Sequence, residues 1–88
     1  MEKDKYYVYL LRCNDNTLYC GITNDLLKRV NAHNSGRGAK YTRSRLPVTV
    51  EYFEISNNKS NALRREHEIK KLSRSEKLEL IEISRGNG

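Results

Sequence analysis

Residues 6–23 read Tyr-Tyr-Val-Tyr-Leu-Leu-Arg-Cys-Asn-Asp-Asn-Thr-Leu-Tyr-Cys-Gly-Ile-Thr. Residues 6–12 are aromatic, β-branched or aliphatic on both alternating faces, the pattern of a central strand covered on both sides. Asn14, Asp15 and Asn16 form a turn cluster, and residues 17–23 resume the strand pattern, so the stretch is predicted to be a β-hairpin. Its register can be argued. A three-residue loop at 14–16 pairs Cys13 with Thr17, Leu11 with Tyr19 and Tyr9 with Gly21. Tyr9 and Tyr19 then lie diagonally on one face, within reach of each other. A two-residue loop would put them on opposite faces.

Working outward, Asn24 or Asp25 is a suitable N-cap for a helix through about Asn34. Leu26, Leu27 and Val30 define its apolar stripe, Arg29 and His33 lie four apart along one edge of it, and Lys28 points to solvent. Residues 35–45 read as a flexible basic loop carrying Arg37, Lys40, Arg43 and Arg45. Pro47, the sole proline, precedes a third strand over Val48–Ile55. Asn57, Asn58 and Ser60 then turn the chain into a helix over about 60–72. Ser73 and Glu76 have capping-box spacing and open a last helix, with Leu78, Ile81 and Leu80 on its apolar side. The order is β-β-α-β-α-α. An α+β fold is expected, a three-stranded antiparallel sheet flanked by about three helices.

With 88 residues, one domain is the expectation, with a core over about 5–83 and a frayed end at 84–88. A chain of this size buries roughly 60–65% of its unfolded surface, so an active site would be a shallow groove. Charged residues make up 32% and hydrophobic ones 36%, too apolar for a disordered chain. No stretch approaches the ~20 apolar residues of a membrane span. No apolar signal segment precedes the first strand, so a cytoplasmic protein is expected. Cys13 and Cys20 match no zinc spacing and read as structural thiols. The net charge of +6, from 17 Lys and Arg against 11 Asp and Glu, favours a polyanionic partner.

A few residues break the pattern of a simple core. In the 60–72 helix the apolar residues are Ala62, Leu63, Ile69 and Leu72, and Glu66 falls near the middle of that stripe, while Glu68 points outward. An inward carboxylate must be hydrogen-bonded, paired or metal-bound. A structural ion pair with an arginine explains it as well as a metal ligand does. Arg29 alone would read as an arginine with its stem on an apolar edge, and His33 as an edge histidine. Tyr9 and Tyr19 alone would read as sheet aromatics. Their company distinguishes them, because two phenols, a basic helix edge and one inward carboxylate would converge on a single region.

Tyr7-Val8-Tyr9 and Tyr19-Cys20-Gly21 resemble the two halves of the GIY-YIG nuclease motif. Arg29 and His33 occupy that family's first-helix positions, and Ala62-Leu63-Arg64-Arg65-Glu66 resembles the segment carrying its acidic metal ligand. The resemblance runs from about Tyr6 to Leu80. It is closest to the small stand-alone bacterial members, through Gly36-Arg37-Gly38-Ala39-Lys40 and residues 69–74. More distantly it includes the N-terminal domain of the excision-repair protein UvrC. Tyr7 replaces the first glycine, Cys20 the isoleucine of the second half, and Ile22 stands where excision-repair members carry a lysine.

The resemblance implies a metal-dependent endonuclease acting on DNA, with a place in repair or recombination. Glu66 would bind one Mg²⁺ or Mn²⁺, Arg29 would hold the scissile phosphate, and one tyrosine, preferably Tyr19, would act as base or position water. His33 would orient or relay protons, and Gly21 would let the backbone approach substrate. Arg37, Lys40, Arg43 and Arg45 would track the phosphate backbone. Neutralising about four phosphates would give a salt slope near ~ −3 to −4. Two other functions fit the same residues, a nucleic-acid-binding module without catalysis and a domain that docks an acidic protein partner.

Overall fold

Asn16 adopts a φ of 69°, the left-handed conformation that asparagine tolerates better than most residues. It closes a three-residue loop in which Cys13 N–H donates to Thr17 O and Asn16 N–H donates to Cys13 O, both at 2.8 Å. The computed structural model describes residues 5–86. In it β1 (Tyr6–Arg12) and β2 (Leu18–Thr23) pair antiparallel with Leu11 opposite Tyr19 and Tyr9 opposite Gly21. That is the register of the three-residue loop.

The chain then forms α1 (Leu26–Asn34), α2 (Lys40–Arg43), β3 (Thr49–Ser56), α3 (Lys59–Lys70) and α4 (Arg74–Ser84). β3 pairs antiparallel with β1 on its other side, so the sheet order is β2-β1-β3, with a bulge between Leu10 and Leu11. The α+β architecture follows the expected element order, with one helix added. The segment expected to be a flexible basic loop contains the single helical turn α2. That turn is too short for its own propensity to hold it. It is fixed by the buried Thr42 and by Arg45, whose guanidinium donates to Tyr41 O at 2.7 Å.

Side-chain alternation divides the core. Val8, Leu10 and Cys20 face α3 and α4, where they meet Ala62, Ile69 and Ile81. Tyr9, Leu11 and Cys13 face the other way, against Val48 and with Leu26 and Val30 of α1. Leu27 is 77% exposed, so the stripe of α1 is narrower than the sequence implied. Burial in α1 belongs instead to His33, four residues after Arg29. In α3 the inward positions are 62, 65, 66 and 69, one ridge at i, i+3, i+4 and i+7, which leaves Leu63 46% exposed.

Arg65, on this ridge, donates from Nε and Nη2 to both oxygens of Glu54 on β3 and from Nη1 to Glu68. Tyr52 Oη donates to the same Glu54. This network ties α3 to β3 and holds the Arg65 guanidinium firmly charged, above all through its bonds to Glu54. Burial, then the bond to Glu54, pushes the Tyr52 phenol up to about 12.

Asp25 caps α1 by accepting from Lys28 N–H, and Asn58 caps α3 by accepting from Asn61 N–H. Ser73 and Glu76 complete the capping box that starts α4. α4 closes on Arg85, whose side chain reaches Glu51 at 2.5 Å. Asn87 and Gly88, part of the end expected to fray, lie outside the described residues. Cys13 and Cys20 are both free and buried. No helix among the described residues is long and apolar enough to cross a membrane.

Candidate active site

Strand β1 delivers Tyr9 to the face covered by α1, and α1 delivers His33 to meet it. Tyr9 Oη and His33 Nε2 are 3.1 Å apart, and both residues are buried. Backbone makes room for the phenol. A Cβ on Gly21, directly opposite, would come within 2.6 Å of Tyr9 Oη. The close approach that Gly21 allows in the fold is therefore to Tyr9. On its other side the His33 ring has Nδ1 2.8 Å from Thr42 Oγ1 of α2. A Cβ on Gly38 would lie 2.3 Å from that same nitrogen. His33, expected at a helix edge, is thus wholly enclosed. The loop that encloses it was not visible in the helical spacing of α1.

Tyr19 lies diagonally from Tyr9 and is half-buried. Its ring meets His33 edge-on at 5.5 Å and stacks against Tyr41 of α2 at 5.9 Å, with planes 19° apart. The Arg45 guanidinium covers the Tyr41 ring at 3.9 Å and pairs with Asp15 at 3.0 Å. These contacts assign Arg45 to holding Tyr41 and the hairpin loop. Arg37, Lys40 and Arg43 are exposed; Arg37 Nε donates to Ser35 Oγ at 3.0 Å.

Glu66 arrives from the opposite side of the sheet, because α3 packs on the other face. Its side chain is 17% exposed and its ion-pair partner is Lys70, one turn on, at 3.3 Å. The partner is thus a lysine of its own helix, not the arginine that a structural pair would have used. Glu66 and Lys70 nevertheless act on the Tyr19 phenol, as does Arg29 of α1. β2 is an edge strand, and the two halves of the site meet around that open edge. A shallow groove there is lined by Leu18, Tyr19, Cys20, Tyr41, Lys70 and Lys77.

The electrostatics keep the phenols protonated at neutral pH. Burial raises the Tyr9 pKa, opposed by a hydrogen bond from Arg29. Burial likewise raises that of Tyr19, opposed by Lys70 and Arg29. Burial lowers the pKa of His33, helped by the Arg29 charge, so the imidazole is neutral. Burial and Glu66 push the Cys20 thiol up to about 12, which makes it inert.

A scan of family models matches residues 5–79 to the GIY-YIG catalytic domain. The chain belongs to the GIY-YIG nuclease family. Among curated proteins it is 51% identical to a UPF0213 protein of Staphylococcus haemolyticus over 89% of this chain and 95% of the relative. It is 59% identical to one of Clostridium perfringens over 85% and 81%. Among solved structures it resembles the solution structure of a UPF0213 protein from Bacillus halodurans. There the TM-score is 0.59, at 42% identity over 90% of this chain and 84% of that one. A second solution structure, of a protein from E. faecalis, gives 0.64 at 38% identity over 97% and 92%.

GIY-YIG nucleases act on nucleic acids and generally depend on a divalent metal. The donor set here can be tested against that requirement. Among the described residues no three His, Cys, Asp or Glu side chains gather into one group. A cage of protein ligands, as zinc needs, is therefore missing from them. One partly shielded carboxylate, balanced by a flexible ammonium, suits a hard cation that keeps most of its water. Glu66 fits that description.

Sequence reasoning missed Thr42, Tyr41 and Lys70. Gly36 and Gly38, two glycines in a short loop, were the one available signal of a close backbone approach. Nothing in the sequence named His33 as the group approached.

Proposed function

We propose that this chain is a Mg²⁺- or Mn²⁺-dependent DNA endonuclease of low sequence specificity, acting in the cytoplasm on nicked, flapped or branched DNA of repair and recombination. One observation carries the reading: the half-exposed Tyr19 and Lys70, the ion-pair partner of Glu66, line one groove at the β2 edge, beside the enclosed Tyr9–His33 pair.

Arg29 binds the scissile phosphate, where its planar fork matches two phosphate oxygens. Glu66 holds the cation, which when bound stabilises negative charge on the phosphate and the leaving 3′ oxygen. Tyr19, not Tyr9, faces the groove and orients the attacking water or accepts its proton. Its phenol is held up by burial and, less strongly, by the Glu66 charge. Neutralising that carboxylate removes one of the influences that oppose ionisation. Tyr9 stays protonated and keeps His33 in place. Arg37, Lys40 and Arg43 contact the phosphate backbone without reading bases.

A second reading, a nucleic-acid-binding module without turnover, draws support from two features. The Glu66–Lys70 pair occupies the carboxylate, and both phenols have raised pKa values.

Purified protein incubated with labelled single-stranded, duplex and branched DNA and either ion separates the two. Cleavage by the wild type that is lost in Glu66→Ala and in Tyr19→Phe is the outcome expected. Binding without cleavage under every condition, or equal residual cleavage by all three proteins, would establish the binding module instead.

A further inference from the structure

The hydroxyl of Thr42 has two polar neighbours. Its Oγ1 is 3.0 Å from the carbonyl oxygen of Ala39 and 2.8 Å from His33 Nδ1. The hydroxyl is placed to donate to Ala39 O, which also accepts the Thr42 N–H at 3.1 Å, and a hydroxyl that donates there offers its oxygen to Nδ1 as an acceptor. With the hydroxyl proton directed at Ala39 O, a proton on His33 Nδ1 fills the 2.8 Å contact. The Ala39 N–H also points at Nδ1, from 3.4 Å, and this longer contact is the weaker of the two. With its proton on Nδ1, a neutral imidazole has a bare Nε2, and the Tyr9 O–H donates to it across 3.1 Å.

Hydrogen bonds thus run in one direction, from Tyr9 through His33 and Thr42 to the Ala39 carbonyl. Tyr9, His33 and Thr42 are all fully or almost fully buried, so water does not compete for these partners. Gly21 leaves no space beside the phenol, and Gly38 none beside Nδ1.

We propose that Thr42 is a positioning residue, fixing His33 as the Nδ1–H tautomer so that Nε2 accepts the hydrogen bond of the Tyr9 O–H. Through it the basic segment between α1 and β3 sets the state of the tyrosine–histidine pair. Thr42 lies between Lys40 and Arg43, so the element carrying exposed cations is also the one that orients the imidazole. The opposite tautomer would point an N–H at Tyr9, rotate the phenol proton away and change what the Tyr9 oxygen offers to Arg29. Only the consequence for turnover rests on the nuclease reading; the tautomer does not.

Nitrogen-15 NMR of the histidine rings tests this directly. In a His67→Gln background, which removes the one exposed histidine, the His33 ring is expected to give a protonated-type Nδ1 and a bare-type Nε2 at neutral pH. Thr42→Ser should keep that signature. Thr42→Val, which keeps the shape and loses the acceptor, should shift the ring towards the Nε2–H form. A wild-type ring already in the Nε2–H form would overturn the proposal, as would a Thr42→Val spectrum identical to wild type. If Thr42→Val does not fold, the wild-type and Thr42→Ser spectra still decide between the tautomers. In a cleavage assay, Thr42→Val should lower kcat by about 10–100-fold, the range for removing hydrogen-bond partners that orient metal-ligating histidines. KM for DNA should hold, and Thr42→Ser should restore kcat. If no DNA is cleaved by any form, the nuclease reading fails while the ring spectra still judge Thr42.

Discussion

Each tyrosine of the site answers to a different neighbour, and single substitutions should separate them. Tyr19→Phe removes a phenol that contacts the groove and leaves the core intact, so cleavage should drop by about 10² or more with the melting temperature nearly unchanged. Tyr9→Phe strips the buried His33 Nε2 of its partner, and an orphaned buried acceptor costs about 1–3 kcal/mol. A thermal melt beside single-turnover cleavage shows which variant loses stability and which loses chemistry. Equal melting temperatures for the two would refute the assignment.

Gly21→Ala is expected to destabilise by about 1–3 kcal/mol through overpacking against Tyr9. Combining it with Tyr9→Phe should cost somewhat less than the sum, since the nearer clashing atom, Tyr9 Oη at 2.6 Å, is removed while Cζ at 2.8 Å stays. His33 also makes a pH statement. Its folded-state pKa is depressed, chiefly by burial, so the unfolded chain binds the proton more readily. Stability from this group is complete above the ordinary value near ~6.5 and is lost as the pH falls through the lowered folded value. A ring titration at or above ~6.5 by NMR would contradict the enclosed site. Glu66 was legible as a charge on an apolar ridge. The burial of His33 was not, because it depends on a loop that folds over it from outside α1.

The elements differ in how much of their stability is local. α4 starts at a capping box whose two halves, Ser73 and Glu76, bond reciprocally at 3.1 and 2.8 Å. Ser73→Ala should cost about 1 kcal/mol, a fall of roughly 4–8 °C in Tm for a domain of this size. Calorimetry measures it, and cleavage should be unaffected at temperatures where both proteins are folded. This helix could be read from sequence because its start signal lies within four residues. The hairpin could be read for the same reason, with Asn16 supplying the left-handed residue that a three-residue loop requires. α2 is the opposite case. Its four residues are Lys-Tyr-Thr-Arg, which carry no apolar period. They become helical because Thr42 docks on His33 and Arg45 bonds back to Tyr41 O. Composition makes 35–45 a flexible loop, and tertiary contacts make 40–43 helical. Leu27 and Leu63 are exposed for a similar reason, since hydrophobicity on a helical wheel does not say which side has a neighbour.

At the scale of the whole molecule the sheet is a partition, and the proposed site lies where the partition ends. Tyr9, Tyr19, Arg29 and His33 belong to the face under α1, Glu66 and Lys70 to the helix on the other face, and the open edge of β2 is the shared boundary. Alternation along the strands could assign faces but could not indicate that a carboxylate from behind would act on a phenol in front. A strand of DNA reaching both halves must run along that edge, past Lys70 and Lys77 on one side and the segment with Arg37, Lys40 and Arg43 on the other. The molecule measures 37 Å at its longest, which corresponds to a footprint of about eleven base pairs at ~3.4 Å per step. Arg45 is held by Asp15 and Tyr41, so three cations of the basic segment remain to neutralise phosphates. Each contributes about −0.9 to the slope of log K against log salt, so that segment should supply a slope near ~ −3. Arg43→Ala should flatten the slope by about one. Arg45→Ala should leave the slope intact while loosening Tyr41 and lowering Tm. Fluorescence anisotropy across a salt series makes the comparison. A flattening equal to that of Arg43→Ala would mean that Arg45 leaves Asp15 to bind DNA, and that the Tyr41–Tyr19 stack is remade when substrate arrives.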